Sequence, residues 1–486
     1  MINKLIEKIK NNWFDFSLWA ICILGVWIRL HVYLFNRSLW MDEAALANNL
    51  MQTRTILNNM SYNQAAPPLF KLITLEIIKP FQTEMGYVEE YWLRLLPLIC
   101  GVLSIFVFLL IIRKLFYSKV AQIISLILFS SNYMLIYYSS EFKQYSSDVL
   151  CVLILIYLAL KVDLKTCSKK MFLILSLFYA GVFWLSHASL FVLAALLPVN
   201  FLELKNDLSK LVKLYLPAAV SFIVFYFLHL RTVSNSDFMH EFWANYFINS
   251  YENLKHSLCS VVNSLFYQIL NPWLILSIIL LGMVVLIIKN RQKIALILTL
   301  PTFLLLLLSY FEVYPFACRL VLFVFPLMII YYCYLLEVAG RKKIFLSIII
   351  LALYVVTLIP YFLKYSYVIT KRNIWLREEI RTLYEYIETR IEPDDIIFMA
   401  NDMCLQNKWY IKKFKFKNEI IETTNKYEIP FELMQSGKKY MIIFDHYWRK
   451  DRQKNLIKIV NWINQNAIIL RQYAYYENYV FYVEKR

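Results

Sequence analysis

Long apolar runs alternate with short charged segments along the first three quarters of the chain, a pattern that predicts membrane-spanning helices. The runs occupy residues 16–36, 91–112, 120–138, 148–160, 171–186, 188–203, 212–230, 272–288, 294–310, 318–337 and 344–362. They predict eleven spans, of which the fourth is short, and 171–203 admits another parsing. Basic residues fall in every second connection: Lys4, Lys8 and Lys10, then Arg113, Lys114 and Lys119, then Lys161, Lys165, Lys169 and Lys170. The series continues with Lys205, Lys210 and Lys213, with Lys289, Arg291 and Lys293, and with Arg341, Lys342 and Lys343. Such regularity predicts a cytoplasmic N-terminus and an external C-terminus. The basic opening segment lacks a small-residue cleavage pattern, so the first run reads as a retained span rather than a removed signal peptide.

Two external connections, 37–90 and 231–271, are too long to be simple turns, and connections of that length usually carry function. After residue 362 the pattern changes. A helical stretch at 375–391 is stopped by Pro393, buried strands are expected at 396–400 and 441–445, and a helix at 455–462. Stretches 468–473 and 479–483 read as a closing hairpin. The expectation is a polytopic α-helical membrane domain over 1–362 and a small extracytoplasmic α/β domain over 363–486.

Composition narrows the function. Hydrophobic residues make up 60% of the 486 and charged residues only 17%, with mean hydropathy +0.52. Those values exclude a disordered chain and a stand-alone soluble enzyme. The formal charge of +17 is spread through the connections, which fits a membrane surface and not nucleic acid. Cys22, Cys100, Cys151 and Cys333 sit inside apolar runs, and no Cys-x-x-Cys pair signals a metal or redox site. Neither a Walker loop nor a Gly-rich dinucleotide motif is present.

The candidate chemistry lies at the external ends of the spans. Asp42 and Glu43 are adjacent carboxylates in 38–46, just after the first run. Asp42 reads either as the N-cap of an interfacial helix or as a proton acceptor, and the two are compatible because a helix N-terminus keeps a carboxylate ionised. Gln64, Ala65, Ala66, Pro67, Pro68 and Leu69 follow in the same connection, and Arg94 and Pro97 open the second span. The next external connection holds Glu141, Lys143 and Tyr145. A carboxylate pair and a cation at one membrane face suit an anionic lipid phosphate and a hydroxyl that must lose its proton; Glu141 and Lys143 also read as an ordinary loop ion pair.

This order of motifs resembles the membrane-embedded GT-C glycosyltransferases, closest to the family 39 group that includes protein O-mannosyltransferases and the lipid A aminoarabinose transferase. The likeness is carried by Trp40, Asp42, Glu43 and Ala44, by Pro67, Pro68 and Leu69, by Arg94 and Pro97, and by Glu141, Lys143 and Tyr145. It implies a polyprenyl-phosphate-linked sugar donor, a lipid, glycan or protein acceptor, and a multi-pass place in the inner or plasma membrane. It also implies that Asp42 is the base or orienter for the acceptor hydroxyl, that Glu43 and Glu141 are the accompanying acids, and that Lys143, Tyr145 and Arg319 contact the donor phosphate. Lys143 stands where the family more often has arginine, which removes a bidentate fork. Ala66 stands where relatives often have a polar residue. His187 and Arg94 are further site candidates, and His187 and Arg319 each also read as plain interfacial residues. No metal ligand set is evident, and the need for a divalent cation stays open. The rival readings are a lipid or solute transporter and a polysaccharide polymerase or ligase.

Overall fold

The computed structural model describes residues 2–52, 64–266, 271–290, 292–339, 379–399, 404–422, 434–444, 450–475 and 478–486. Among these residues the first ten apolar runs each fall on helix; the run at 344–362 lies outside them. Five helical stretches are long and apolar enough to cross a membrane: Asn12–Leu34, Leu95–Leu115, Leu208–Ser234, Pro272–Lys289 and Gln292–Tyr310. Lys119–Ser131, Ala188–Leu204 and Leu322–Val338 are shorter apolar helices.

Local chemistry sets the boundaries. Ser118, Ser168 and Asp207 cap the helices that follow them by accepting the backbone N–H of Ala121, Met171 and Lys210. Asn271 does the same for the helix that opens with Pro272. The expected continuous helix over 120–138 is instead two, Lys119–Ser131 and Tyr133–Tyr138. Asn132 breaks it: its Oδ1 accepts from the N–H of Leu135 at 3.0 Å, and its Nδ2 donates to the carbonyl of Leu265 at 3.0 Å. The helix Leu208–Phe225 runs on into a π-helical turn, Tyr226–Leu230.

The chain divides into two units. The first, Met1–Phe35, Thr55–Thr74 and Arg94–Thr370, is the helical one. Its helices meet closely where side chains are absent; a Cβ added at Gly282 would stand 1.9 Å from the carbonyl oxygen of Tyr331. Leu216, Val220, Ile223 and Phe227 stay exposed on the helical surface, the composition a lipid environment requires.

The second unit comprises Asn36–Arg54, Leu75–Leu93 and Lys371–Arg486. It contains a five-stranded sheet in the order β2-β1-β3-β5-β4, with β1 Ile396–Met399, β2 Ile420–Glu422, β3 Lys439–Phe444, β4 Ala467–Tyr475 and β5 Asn478–Lys485. β1 lies parallel to β2 and β3, whereas β5 is antiparallel to β3 and β4. Phe398, Tyr440, Ile442, Phe481 and Val483 pack with Ile459 and Ile463 of the helix Lys450–Asn466 to form its core. The helix Arg381–Glu388 buries Leu383, Tyr384 and Ile387, one stripe of a 3.6-residue period. The helix Cys404–Phe414 and strand β2 have no counterpart in the sequence reading.

Candidate functional site

Asp42 and Glu43 belong to the second unit, at the start of the helix Met41–Gln52. Trp40 precedes the first helical residue, so Asp42 lies in the first turn and not at the cap. Glu43 takes the structural role: wholly buried, it occupies the third helical position, and its Oε2 accepts from the backbone N–H of Trp40 at 3.4 Å. Asp42 is only partly buried, on the same N-terminal turn.

The backbone before this helix is tied down on all sides. Ser38 donates its N–H to Glu379 Oε2 at 3.2 Å and its hydroxyl to Glu379 Oε1 at 2.5 Å. The N–H of Leu39 donates to the Tyr410 hydroxyl at 2.8 Å, and that hydroxyl donates to Glu90 Oε1 at 2.8 Å. Burial, with the Glu90 carboxylate next, pushes the Tyr410 phenol well above its ordinary range, so it keeps the proton it donates.

Glu141, Lys143 and Tyr145 lie in the first unit, on the turn between Tyr133–Tyr138 and Tyr145–Lys161, and all three are buried. The Lys143 ammonium donates to Gln64 Oε1, and Gln144 donates to the carbonyl of Ala65 at 3.4 Å. Phe142 stacks on Phe70. The Gln64–Pro68 segment and the Glu141–Tyr145 turn, 79 residues apart, therefore form one local structure. Tyr145 packs edge-on against Tyr138.

Arg319 belongs to the same unit, with its guanidinium 5.0 Å from the ring centre of Trp243. Tyr314, five residues before it, donates its hydroxyl to the carbonyl of Leu320 at 3.1 Å. Arg94 is buried at the start of Leu95–Leu115. His187 faces His229 of the π-helical turn, with Nε2 atoms 3.2 Å apart, so one ring donates and the other accepts. π-turns recur at functional sites, where they aim one side chain out of register.

Lys71 and Asp148 were not singled out in the sequence. Lys71, on the helix Pro68–Ile78, is 2% exposed, and its Nζ has no hydrogen-bond partner among the described residues. It lies within electrostatic range of His187. Burial pushes its ammonium down to about 8. The sequence signal was a lone cation inside the apolar stretch 69–78. Asp148 lies in the first turn of Tyr145–Lys161 and accepts from the Ser186 hydroxyl at 2.6 Å and from the N–H of Ala188, which fixes the turn that presents His187. Arg29 is a third buried ionisable group, donating to the carbonyls of Gly25 and Ser130 beside a small cavity lined by Ser104 and Ser146. Among the described residues, no group of three or more His, Cys, Asp or Glu side chains is placed to hold a metal ion.

No family model and no curated protein matches the sequence. Solved structures do. The crystal structure of ArnT from Cupriavidus metallidurans bound to undecaprenyl phosphate superposes with a TM-score of 0.56 at 11% identity, covering 95% of this chain and 97% of that one. The Archaeoglobus fulgidus oligosaccharyltransferase in complex with Zn and sulfate matches with a TM-score of 0.50 at 12% identity, over 83% of this chain and 62% of that one. AglB from the same organism, in complex with an inhibitory peptide and a dolichol-phosphate, gives 0.50 at 11% identity over 86% and 65%. At these identities the likeness concerns architecture, and the chain has the GT-C glycosyltransferase fold.

Proposed function

We propose that this protein transfers a sugar from a polyprenyl-phosphate-linked donor to an acceptor hydroxyl at the external membrane face. The observation that carries the reading is Lys71. A buried ammonium with no partner costs stability, and such a cost is retained where an anionic ligand offsets it. A lipid phosphate supplies that anion. His187 lies within electrostatic range of it and shares a ring-to-ring hydrogen bond with His229, and Asp148 holds the turn of His187.

In this mechanism Asp42 takes the proton of the acceptor hydroxyl, and the acceptor oxygen attacks the anomeric carbon. The bond from that carbon to the phosphate oxygen breaks, and its electron pair leaves on polyprenyl phosphate. A single displacement inverts the centre. Lys71 meets the growing charge on the leaving phosphate, a preorganised electrostatic contribution. Lys143 and Arg319 add to the positive field, and Glu141 and Tyr145 complete the turn built on Gln64. Glu43 holds the first turn of the helix that carries Asp42. The distribution of Lys and Arg supports a cytoplasmic N-terminus and an external α/β domain, and the resemblance supports a place in the inner or plasma membrane. The ArnT complex with undecaprenyl phosphate and the AglB complex with dolichol-phosphate support a donor of this class.

The transporter reading has one observation in its favour, the two ionisable groups Arg29 and Asp148 buried among the helices. Ligand-induced stabilisation of the purified protein tests the donor site. Polyprenyl phosphate is expected to raise the thermal midpoint, and the uncharged polyprenol is not. Equal stabilisation by both would remove the phosphate from the proposal.

A further inference from the structure

The segment that delivers Asp42 is held by side chains from more than 340 residues further along the chain. The first span ends at Leu34, and Asn36 turns the backbone with a positive φ of 44°, a conformation Asn tolerates better than most residues. Over the next few residues four side chains bind main-chain atoms. Arg381 Nη2 donates to the carbonyl of Asn36 at 2.6 Å. Glu379 accepts both Ser38 donors, and the Ser38 hydroxyl accepts in turn from the Arg381 N–H at 2.9 Å. Tyr410 accepts from the N–H of Leu39, and Gln406 donates to the Leu39 carbonyl at 3.1 Å. Two turns into the helix, Asn48 donates to the carbonyl of Leu405 at 2.6 Å.

Glu90 links two of these ties, accepting from Tyr410 at 2.8 Å and pairing with Arg381 at 3.4 Å. Ser38, Glu90, Glu379, Gln406 and Tyr410 are all buried. None of the four clamping side chains belongs to the apolar core of the sheet. Their polar atoms are spent on the chain around 36–39, immediately before the helix on whose first turn Asp42 sits.

We infer that Glu379, Arg381, Gln406 and Tyr410 are positioning residues that fix the start of the helix Met41–Gln52 and so set Asp42 against the acceptor hydroxyl. The inference rests on Asp42 being the acceptor base, as proposed above. It assigns the C-terminal region a share in the rate of transfer as well as in folding.

Tyr410→Phe keeps the ring and removes the hydroxyl that joins Leu39 to Glu90. Hydrogen–deuterium exchange of peptides covering 36–48 is expected to quicken. The transfer kcat is expected to fall by about 10- to 100-fold, the scale of a small misplacement of a catalytic group. Donor KM is expected to stay within about twofold. Combined with Asp42→Asn, the same substitution is expected to have no further effect, because the two act through one group. Unchanged exchange in Tyr410→Phe would overturn the clamp whatever the activity. Faster exchange with an unchanged rate, or an equal loss in the Asp42→Asn background, would overturn the link to Asp42. Faster exchange in a protein whose wild type transfers nothing would leave the clamp standing and count against Asp42 as base. Should Tyr410→Phe fail to fold, Glu379→Gln keeps the side-chain shape, removes the charge on Ser38 and reads the same arms.

Discussion

Lys71→Met separates a ligand-binding cation from a structural one. In the wild type the ammonium is 2% exposed without a hydrogen-bond partner among the described residues, and burial lowers its pKa from 10.5 to about 8. That difference corresponds to about 3 kcal/mol against folding wherever the group is charged in both states. The sign follows from proton counts. Between about pH 8 and the unfolded value the unfolded chain binds more protons, so stability rises with pH through that window. Below about pH 8 the penalty is present in full. Methionine fills a similar volume without charge, so Lys71→Met is expected to equal or exceed the wild type in stability at pH 7 and to lose the rise above pH 8. Activity moves the other way. A charge-assisted hydrogen bond contributes roughly 1.5–3 kcal/mol, which predicts a fall in kcat/KM of about 10- to 150-fold. The wild-type kcat/KM should itself decline as pH passes about 8 and the ammonium is lost. Thermal melts in detergent and initial rates with a polyprenyl-phosphate sugar measure both arms. A variant less stable than wild type with transfer intact would refute the reasoning, because it would make Lys71 a structural group.

Two other substitutions test the helical unit. Asn132→Ala removes both the cap on Tyr133–Tyr138 and the tie to the Leu265 carbonyl, and is expected to cost about 1–2 kcal/mol in detergent melts. Gly282→Ala drives a methyl group into the Tyr331 carbonyl, and is expected to cost about 1–3 kcal/mol or more, read as a lowered thermal midpoint; an unchanged midpoint would mean that the helices separate freely there.

The helical elements were legible because lipid-facing and packed residues share one property, apolarity over some 20 positions. The caps Ser118, Ser168, Asp207 and Asn271 were not read, although each acts on its own helix. Asn132 was not read as a break, because one polar residue inside an apolar run has the same hydropathy whether it caps a new helix or merely packs. The π-turn at Tyr226–Leu230 leaves no periodic trace in so short a segment. In the tail the strands at Ile396–Met399 and Lys439–Phe444 stood out as apolar runs, whereas β2, with three residues, is too short to signal. The partners of Ser38 and Leu39 were out of reach of any pattern, since they lie more than 340 residues away.

At the candidate site the acidic residues were visible because charge at a membrane edge is rare. Asp42 was read as either cap or base, and the backbone gives the capping-box role to Glu43. Lys71 and Asp148 went unremarked for a common reason. Each is a single charge near the end of an apolar stretch, where snorkelling residues are ordinary, and only burial separates the two cases.

In the proposed function this chain cleaves a sugar–phosphate bond with Asp42 as the acceptor's base. Release of polyprenyl phosphate from a labelled polyprenyl-phosphate sugar in proteoliposomes, wild type against Asp42→Asn, tests it most directly. Release is expected with the wild type, with a loss of about 10²- to 10⁴-fold for the variant at equal membrane insertion. Equal release from both proteins would contradict it.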